Sequence, residues 1–251
     1  MKILVTGSHG FIAKHLIKRL DPIQHEVTLF DTEGERNTFN TEYKFDLIYH
    51  LGAKTGARGT DYSEYEYYNV ANTLELINSA KKHGTKVIYA SSSSAKNPTN
   101  FYGLTKKWNE DMFKMLLPDS VGLRLFTVYG PNMRKDMFIY KAIEAIKRGT
   151  GISIYYGDKE KYAREFTYIE DVVDILINAQ NIKAGVYDVS SGEKTNIIDA
   201  VNIIGSILER NVHSVVEKID DAVYMKSENS IIKNPTPFIF GIKRTLEQWQ
   251  G

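Results

Sequence analysis

The first twenty residues contain an apolar stretch, a glycine turn and a helical pattern in direct succession. Residues 1–6 (MKILVT) have the composition of a short buried strand, and Gly7-Ser8-His9-Gly10 follows at once. A helical pattern then runs from Lys14 to Leu20, with apolar Leu16, Ile17 and Leu20 at helical spacing. Free backbone N–H groups and the dipole at the start of such a helix attract anions. The pattern therefore predicts a site where a pyrophosphate can dock, although Gly-x-x-Gly alone fits an ordinary turn equally well.

The residues around this turn agree with a dinucleotide. Gly7 permits the tight turn, Gly10 permits close approach of a phosphate, and Ala13 is small enough to replace the third glycine of the usual pattern. The next apolar strand, 26–30, ends in Asp31. An acid there can bind the adenosine ribose hydroxyls and repels a 2′-phosphate, which favours NAD over NADP. Nearby Arg36 weakens this preference, and a turn-forming role is the alternative for Asp31.

Strand-like and helix-like stretches alternate through the first 150 residues. After residue 150 the stretches become shorter and glycines interrupt them. We therefore expect an α/β fold, a Rossmann-type doubly wound parallel sheet with a small C-terminal α/β substrate lobe. The NAD-binding domain is predicted at 1–150, with 166–190 returning to it, and the lobe at 151–251. The alternating segments are 46–51, 63–82, 86–91, 101–116, 121–126 and 135–148, and a loop at 229–237 precedes a last helix near 240–248.

Tyr102 and Lys106 stand four residues apart in a predicted helix. Positions i and i+4 share one face of a helix, so the Lys106 ammonium can stabilise the ionised Tyr102 phenol. Such a pair, with a hydroxyl from the serine run 91–94, can move a proton off a substrate alcohol. The second Tyr-x-x-x-Lys match, Tyr155 to Lys159, runs into a turn composition and is not expected to be functional.

Composition excludes several other functions. The chain has 251 residues, 42% of them hydrophobic and 25% charged, which is ordinary for a soluble globular protein. The net charge of +1 gives no reason to expect nucleic acid or an acidic membrane as a partner. Without cysteine there is no disulfide or thiolate catalysis, and the six histidines show no metal-binding spacing. No apolar run is long enough for a membrane span or a signal peptide, so we expect a cytoplasmic protein.

Several ordered motifs resemble those of the extended short-chain dehydrogenase/reductases, and within them the nucleotide-sugar epimerases. They span roughly residues 1–180 and the last dozen. The stretch 123–131 (LRLFTVYGP) looks most like UDP-glucuronate 4-epimerases, and 164–172 (REFTYIEDV) resembles the segment whose arginine grips the diphosphate. The other motifs are Thr6-Gly7-x-x-Gly10-Phe11-Ile12, the stretch 46–53 (DLIYHLGA), Asn69, the serine run and Tyr102-x-x-x-Lys106.

The resemblance implies a role for each matching position. Ser92, Tyr102 and Lys106 would be catalytic, and Ser92, Ser93, Thr127 and Arg164 would bind the substrate. NAD would be held by Gly7, Gly10, Phe11, Ile12, Asp31, Leu51, Gly52, Ala53, Lys54 and Asn69, together with Tyr102 and Lys106. No metal is implied. The expected partners are a nucleotide-sugar, most simply a UDP-sugar, and a second copy of the chain in a homodimer.

Some of these positions have simpler interpretations, and some motifs are shortened. His50 is expected to be a packed strand residue, Asn69 could lie on a helix surface, and Arg164 could pair with Glu160 or Glu165. Tyr62, Tyr65 and Tyr68 are expected to form a packing or subunit-contact stripe. Only fourteen residues separate Asp31 from Asp46, so the third strand of the family could be missing. The loop after Ser92 is also short, with 95–97 (Ala-Lys-Asn) replacing the usual Val-Tyr-Gly.

The reaction implied is epimerisation at C4 of a UDP-hexose or UDP-hexuronate through a 4-keto intermediate. A 4,6-dehydratase would carry an Asp-Glu pair where this chain has Ser93 and Ser94, which disfavours dehydration. Two alternatives remain open at this point. One is a keto-sugar-nucleotide reductase of the same superfamily, and the other is a non-catalytic NAD-sensing protein. The sequence does not distinguish glucose, glucuronate and N-acetylhexosamine substrates.

Overall fold

The structure is a computed structural model that describes residues 1–20, 23–31, 42–56, 61–155, 162–212, 214–217 and 224–249. Three features discussed above fall wholly or mostly outside these ranges. They are Arg36, the question of a third strand before Asp46, and the pair formed by Tyr155 and Lys159. Elements are numbered below in chain order.

The chain forms two compact units. The first contains Met1–Leu125 and Val173–Asp188, and the second contains Phe126–Val172 and Val189–Gly251. The predicted domains, 1–150 and 151–251, stay a prediction. The strands are β1 (Lys2–Thr6), β2 (Glu26–Phe30), β3 (Leu47–His50), β4 (Lys86–Ser92), β5 (Val121–Leu125), β6 (Val128–Tyr129), β7 (Ile152–Tyr155), β8 (Ala163–Glu165), β9 (Thr167–Tyr168), β10 (Gly185–Val189), β11 (Lys194–Asn196) and β12 (Ser214–Glu217). The α-helices are α1 (Phe11–Arg19), α2 (Tyr62–Tyr65), α3 (Asn72–His83), α4 (Phe101–Leu116), α5 (Phe138–Arg148), α6 (Ile169–Asn178), α7 (Ile197–Leu208) and α8 (Phe238–Glu247).

A six-stranded sheet with the order β10-β5-β4-β3-β1-β2 organises the first unit. The neighbours from β2 to β5 pair in parallel, and helices connect β1 to β2, β3 to β4 and β4 to β5, which confirms the predicted Rossmann-type α/β fold. The chain returns from β2 to the other side of β1, so the strand order reverses between β1 and β3. Ligands of open α/β sheets bind at the carboxyl ends of the strands beside such a reversal.

The core of this sheet is apolar on both faces because parallel strands are covered by helices on each side. All four residues of β3 are buried, and Tyr89 of β4 stacks on Phe113 of α4 with ring centroids 3.9 Å apart. The helix that the sequence predicts from Lys14 begins earlier, at Phe11, directly after the glycine turn. The glycine turn therefore meets the first helical N–H groups without an intervening loop.

The second unit contains three small two-stranded sheets. β6 pairs with β9 and β12 with β7 in parallel, while β11 pairs with β8 in antiparallel orientation. An aromatic cluster forms part of its core, with Tyr129 contacting the rings of Phe166, Tyr168 and Phe238. α8 confirms the predicted last helix. No helix in the described ranges combines the length and the apolar character that crossing a bilayer requires.

Candidate active site

Two groups of predicted cofactor residues, the glycine turn and the segment 51–54, lie at the carboxyl ends of the neighbouring strands β1 and β3. Gly7 has a φ of +68°, and a Cβ added to it would lie 2.6 Å from backbone atoms of Gly52, which follows β3. The two chain segments therefore approach so closely that only glycine fits at position 7. Gly10 precedes α1, whose first turn has neither a side-chain cap nor an acidic residue. The first N–H groups of α1 are thus not capped by a side chain of the helix's own first turn and can receive an anion.

Asp31 is tied to the same turn. The His9 backbone N–H donates to the Asp31 carboxylate at 2.7 Å, and the Ser8 N–H donates to the Phe30 carbonyl at 3.3 Å. The Asp31 side chain is only 18% exposed. The structure thus brings Asp31 to the glycine turn, together with Phe11 and Ile12 of the first turn of α1.

A buried hydrogen-bond chain joins the ends of β1 and β3 to α3. His50 Nδ1 lies 2.8 Å from Thr6 Oγ1, and His50 Nε2 lies 3.1 Å from Thr73 Oγ1. The Gly52 N–H donates to Thr6 Oγ1 at 3.2 Å. Burial, and secondarily the charge of Lys106, lower the pKa of His50 to about 3. His50 is therefore a neutral packed residue, as expected, and not a base for catalysis at neutral pH.

Asn69 is only 1% exposed, so a position on the helix surface is excluded. It lies in a π-helical segment, Glu66–Ala71, inserted between α2 and α3. Its amide accepts from the Lys54 N–H at 2.7 Å, donates to the Lys54 carbonyl at 3.1 Å and donates to Thr105 Oγ1 at 3.0 Å. The Thr105 hydroxyl in turn donates to the Tyr102 carbonyl at 2.8 Å. Asn69 therefore links the segment after β3, residues 51–54, to α4, and π-helical insertions are frequent at functional sites.

α4 carries Tyr102 and Lys106 one turn apart, as the spacing predicts. Lys106 is only 3% exposed, its Nζ donates to the Ala90 carbonyl at 2.9 Å, and it lies 6.0 Å from the centre of the Tyr102 ring. Burial lowers the pKa of Lys106 to about 8, against a smaller opposing effect of Glu110. At neutral pH Lys106 is thus a desolvated cation that lies close to the Tyr102 ring and to the end of β4.

The serine run continues from β4 into a short 3₁₀ turn, Ser93–Ala95. Ser92 is 9% exposed, and its hydroxyl accepts from the Ser94 N–H at 3.2 Å. Ser93 is half-buried. A Cβ added to Gly103, the neighbour of Tyr102, would lie 2.7 Å from the Ser94 carbonyl oxygen. The serine turn and the first turn of α4 are therefore in close contact, and the structure brings the predicted catalytic segments together.

Replacing Gly103 by Ala tests this contact. The added methyl group would meet the Ser94 carbonyl at 2.7 Å, so α4 and the serine turn must separate. We expect a loss of about 1–3 kcal/mol in the free energy of unfolding, the usual cost of overpacking, and a parallel loss of turnover. Chemical denaturation and a steady-state assay measure the two effects. Met115→Ala, at an exposed position of the same helix, is the control, and equal stability of the two variants would contradict the contact.

The remaining predicted residues belong to the second unit. Thr127 is half-buried, and its carbonyl accepts from the Thr167 N–H at 3.1 Å. Burial lowers the pKa of Arg164, whose guanidinium donates to the Ala163 carbonyl at 2.6 Å. Glu165 bonds to Ser190, Tyr224 and Ser227 rather than to Arg164. Glu160, the other predicted partner, lies outside the described residues. Within those residues, Arg164 has no carboxylate at ion-pair distance.

Two contributors to the site were not predicted. Thr105 mediates between Asn69 and Tyr102, and Glu110 contacts the serine run from α4. Helical spacing could have indicated both, because Thr105 is three residues after Tyr102 and Glu110 four after Lys106. Neither residue type is specific enough to stand out without the fold.

Known proteins similar to this chain identify its family. The sequence model of the NAD-dependent epimerase/dehydratase family matches residues 3–190. The chain belongs to that family. This confirms the predicted superfamily and its cofactor, NAD. Its relatives include a probable UDP-glucuronate 4-epimerase of Rhizobium meliloti, 29% identical over 72% of this chain and 69% of the relative.

Two solved structures are similar to this chain over nearly its whole length. MoeE5 in complex with UDP-glucuronic acid and NAD is 26% identical, with a TM-score of 0.89, and the match covers 99% of this chain and 98% of that one. The UDP-N-acetylglucosamine 4-epimerase of Methanobrevibacter ruminantium, in complex with UDP-N-acetylmuramic acid, is 25% identical with a TM-score of 0.85. That match covers 98% of this chain and 97% of the other. The similarity thus extends to proteins whose structures contain different UDP-sugars.

Proposed function

We propose that this protein is an NAD-dependent UDP-sugar 4-epimerase. The observation that carries the proposal is the buried Lys106 ammonium beside the Tyr102 ring, on a helix in contact with the Ser92 turn. A tyrosine, a lysine and a serine hydroxyl at the carboxyl edge of the sheet are the groups needed to take a proton from an alcohol and return it. Similarity to 4-epimerases of several UDP-sugars supports the same reaction class.

The glycine turn fits the cofactor of the family. Gly7 leaves no room for a side chain, and α1 begins with uncapped N–H groups that suit a pyrophosphate. Gly10, Phe11 and Ile12 would line the pyrophosphate, and Asp31 would accept from the adenosine ribose hydroxyls. The segment after β3, fixed by Asn69, would pass along the cofactor. NAD supplies the reversible acceptance of a hydride from C4 of the sugar.

The chain itself supplies the acid–base chemistry. Tyr102 removes the proton from the O4 hydroxyl as C4 is oxidised to a ketone, and it returns that proton when the ketone is reduced. Lys106 places a positive charge beside the tyrosine ring, which favours the ionised phenol. The Ser92 hydroxyl donates to the same oxygen as negative charge develops on it. Because the carbon is oxidised and then reduced, no net redox change accompanies turnover.

A panel of UDP-sugars tests this proposal. The protein is incubated with NAD and, separately, UDP-glucose, UDP-glucuronate and UDP-N-acetylglucosamine, and the configuration at C4 is determined by proton NMR. We expect at least one member to equilibrate with its C4 epimer. If none is epimerised while an added keto-sugar nucleotide oxidises NADH, the protein is a reductase. NAD binding with neither reaction indicates a sensing protein.

Asp31 is expected to make the protein prefer NAD over NADP by at least about tenfold, a difference of about 1.4 kcal/mol. The reason is repulsion between its carboxylate and the 2′-phosphate of NADP, at a side chain only 18% exposed. Titration of the apo protein with each oxidised cofactor measures the preference. Asp31→Asn should reduce the ratio of the affinity for NAD to that for NADP. Equal affinity of the parent protein for both cofactors would contradict the assignment.

Arg164 is proposed to bind the diphosphate of the substrate. A guanidinium that has lost much of its hydration, and that contacts no carboxylate in the described ranges, is suited to an external anion. Arginine also presents paired N–H groups that match phosphate oxygens. The adjacent Glu165 does not compete with the diphosphate for Arg164, because its carboxylate is bound by Ser190, Tyr224 and Ser227.

Thr127 is proposed to favour a hexuronate. Its hydroxyl can donate to a C6 carboxylate, and hydrogen bonds to charged groups contribute about 1.5–3 kcal/mol. UDP-glucuronate should therefore be epimerised with at least about tenfold higher kcat/KM than UDP-glucose. Thr127→Val should remove most of that difference. A variant that changes both substrates alike would refute the hexuronate assignment and leave the epimerase assignment intact, and Ser93 would be the next residue to test.

We also propose a cytoplasmic homodimer. Of the predicted tyrosine stripe, Tyr65 is buried at 1% exposure, whereas Tyr62 is 58% exposed and lies against Phe101 of α4 with ring centroids 4.8 Å apart. Leu104 of α4 is 53% exposed as well. Exposed apolar side chains on these helices favour a subunit contact. Sedimentation equilibrium would distinguish a dimer from a monomer.

A further inference from the structure

Four charged side chains form a continuous ionic network in the first unit. The Arg124 guanidinium of β5 binds both carboxylate oxygens of Glu110, at 2.8 and 2.7 Å. Its other terminal nitrogen lies 3.7 Å from a carboxylate oxygen of Asp188 in β10. The Lys96 ammonium completes the network with a 3.1 Å contact to the second oxygen of Asp188. Positive and negative charges alternate along the network, and they sum to zero.

The two ends of this network attach to the chain on either side of Ser92. At one end the Ser91 hydroxyl donates to Glu110 at 2.5 Å. At the other end Lys96 lies just after the 3₁₀ turn that follows Ser92, and its backbone N–H donates to the Ser93 carbonyl at 3.1 Å. The proposed catalytic serine is therefore enclosed between two anchored residues, only five positions apart in sequence.

Burial makes the network a geometric constraint. The Glu110 and Asp188 side chains are 4% and 3% exposed, while those of Lys96 and Arg124 are 16% and 23% exposed. A buried carboxylate that loses its partner is strongly destabilising, so each acid holds its base in place. The two-pronged arginine contact also fixes orientation and not only distance. Because Glu110 lies on α4, the same contacts fix the position of the serine turn relative to the helix that carries Tyr102 and Lys106.

Lys96 forms the end of the network that follows Ser92 in the chain. It lies in the shortened segment 95–97, after the proposed catalytic hydroxyl. The ion pair between Lys96 and Asp188 ties this segment to β10. From Asp188 the network continues through Arg124 and Glu110 to Ser91, on the other side of Ser92.

We propose that Lys96 is a positioning residue that, through Asp188, Arg124 and Glu110, holds the Ser92 turn in register with α4. The kinetic part of this inference rests on the proposed epimerase function. The structural part, the anchoring of residues 91–96, does not.

Substitution of Lys96 tests both parts. Lys96→Met keeps the length of the side chain and removes the charge, Lys96→Arg restores the charge, and Lys107→Met is the matched control. Lys107 forms an exposed ion pair with Asp111 on α4, and its loss leaves the network untouched. Amide hydrogen exchange of the segment 91–100 in the full-length apo protein reports the anchoring. Lys96→Gln provides the same comparison if Lys96→Met does not fold.

We expect Lys96→Met to accelerate exchange in 91–100 by about tenfold or more, with Lys96→Arg and Lys107→Met close to the parent. With NAD and substrate, kcat should fall by about ten- to a hundredfold at nearly constant KM, because misplacement of a catalytic group acts on the transition state. NAD affinity should stay within about twofold of the parent value, a difference below about 0.5 kcal/mol.

The outcomes separate the two parts. Unchanged exchange in Lys96→Met overturns the network as an anchor, whatever the kinetics. Faster exchange with unchanged kcat overturns the positioning role. An inactive parent protein refutes the proposed function and with it the kinetic part, and the exchange result then decides the anchoring by itself.

Discussion

Tyr102→Phe is expected to reduce turnover by about two to four orders of magnitude, the usual effect of losing a general acid–base group. The substitution removes one oxygen and keeps the ring, so the ring contacts of α4 are preserved. NAD affinity should stay within about twofold of the parent, because the glycine turn and Asp31 are unchanged. A single-turnover assay and titration of the apo protein measure the two quantities.

A second tyrosine variant provides the control for Tyr102→Phe. Tyr43→Phe removes the same oxygen from an exposed tyrosine and should have no effect. Ser92→Ala should also lower turnover, though less severely than Tyr102→Phe. If Tyr102→Phe retains turnover within about fivefold of the parent, Tyr102 is not the base.

Lys106→Met is expected to abolish most activity and yet to keep or raise the stability of the apo protein at pH 7. Burial lowers the pKa of Lys106 from its ordinary value of 10.5 to about 8, so the charged form is disfavoured in the folded state. At about 1.4 kcal/mol per pKa unit, this penalty is roughly 3 kcal/mol at neutral pH. The lost hydrogen bond to the Ala90 carbonyl offsets only about 1 kcal/mol of it.

The sign of the pH dependence follows from the lowered pKa. Below pH 8 the folded and unfolded states both carry the proton, and the penalty is present in full. Between about pH 8 and 10.5 the folded state releases the proton first, so the parent gains stability as the pH rises. The advantage of Lys106→Met should therefore shrink over this window. Denaturant unfolding across the pH series measures it, and Lys107→Met should show no such trend.

The opposite result is equally specific. A Lys106→Met protein that is several kcal/mol less stable than the parent at pH 7, by a margin independent of pH, would show that the buried ammonium is not disfavoured. The conclusion that Lys106 lowers the stability of the folded protein while serving the proposed reaction would then be wrong.

The sequence predicts the first unit well because its signals are local. Strands β1, β3 and β4 are short apolar runs with a helical pattern after them, and β3, β4, α4 and β5 lie within a few residues of their predicted ranges. α1 begins three residues before the expected Lys14 because its N-terminus is formed by Gly10, which has no side chain to signal a cap.

The second unit is much less predictable. β6 and β9 have two residues each, and β8 and β11 have three, which is too short for a periodic pattern. These strands exist because of pairings between distant segments, such as β8 with β11. Local propensity contains no information about such pairings.

The sequence likewise predicts some features of the candidate site and not others. Residue types at fixed spacing predict Gly7, Tyr102 and Lys106, because the proposed chemistry depends on those types. The spacing of Asn69 does not predict its π-helical segment or its contacts with Lys54 and Thr105. Likewise, the spacing of Tyr102 and Lys106 does not predict the burial that lowers the pKa of Lys106. That burial depends on packing of the lysine side chain against β4.

Transfer of an isotope from C4 tests the central claim most directly. The protein is incubated with a UDP-sugar that it converts, carrying deuterium at C4, in ordinary water with NAD present. Removal and return of the same hydride predict that the C4 epimer retains the deuterium, with no net accumulation of reduced cofactor. Loss of the deuterium to water, or its accumulation in the reduced cofactor at the expense of the epimer, would contradict the account.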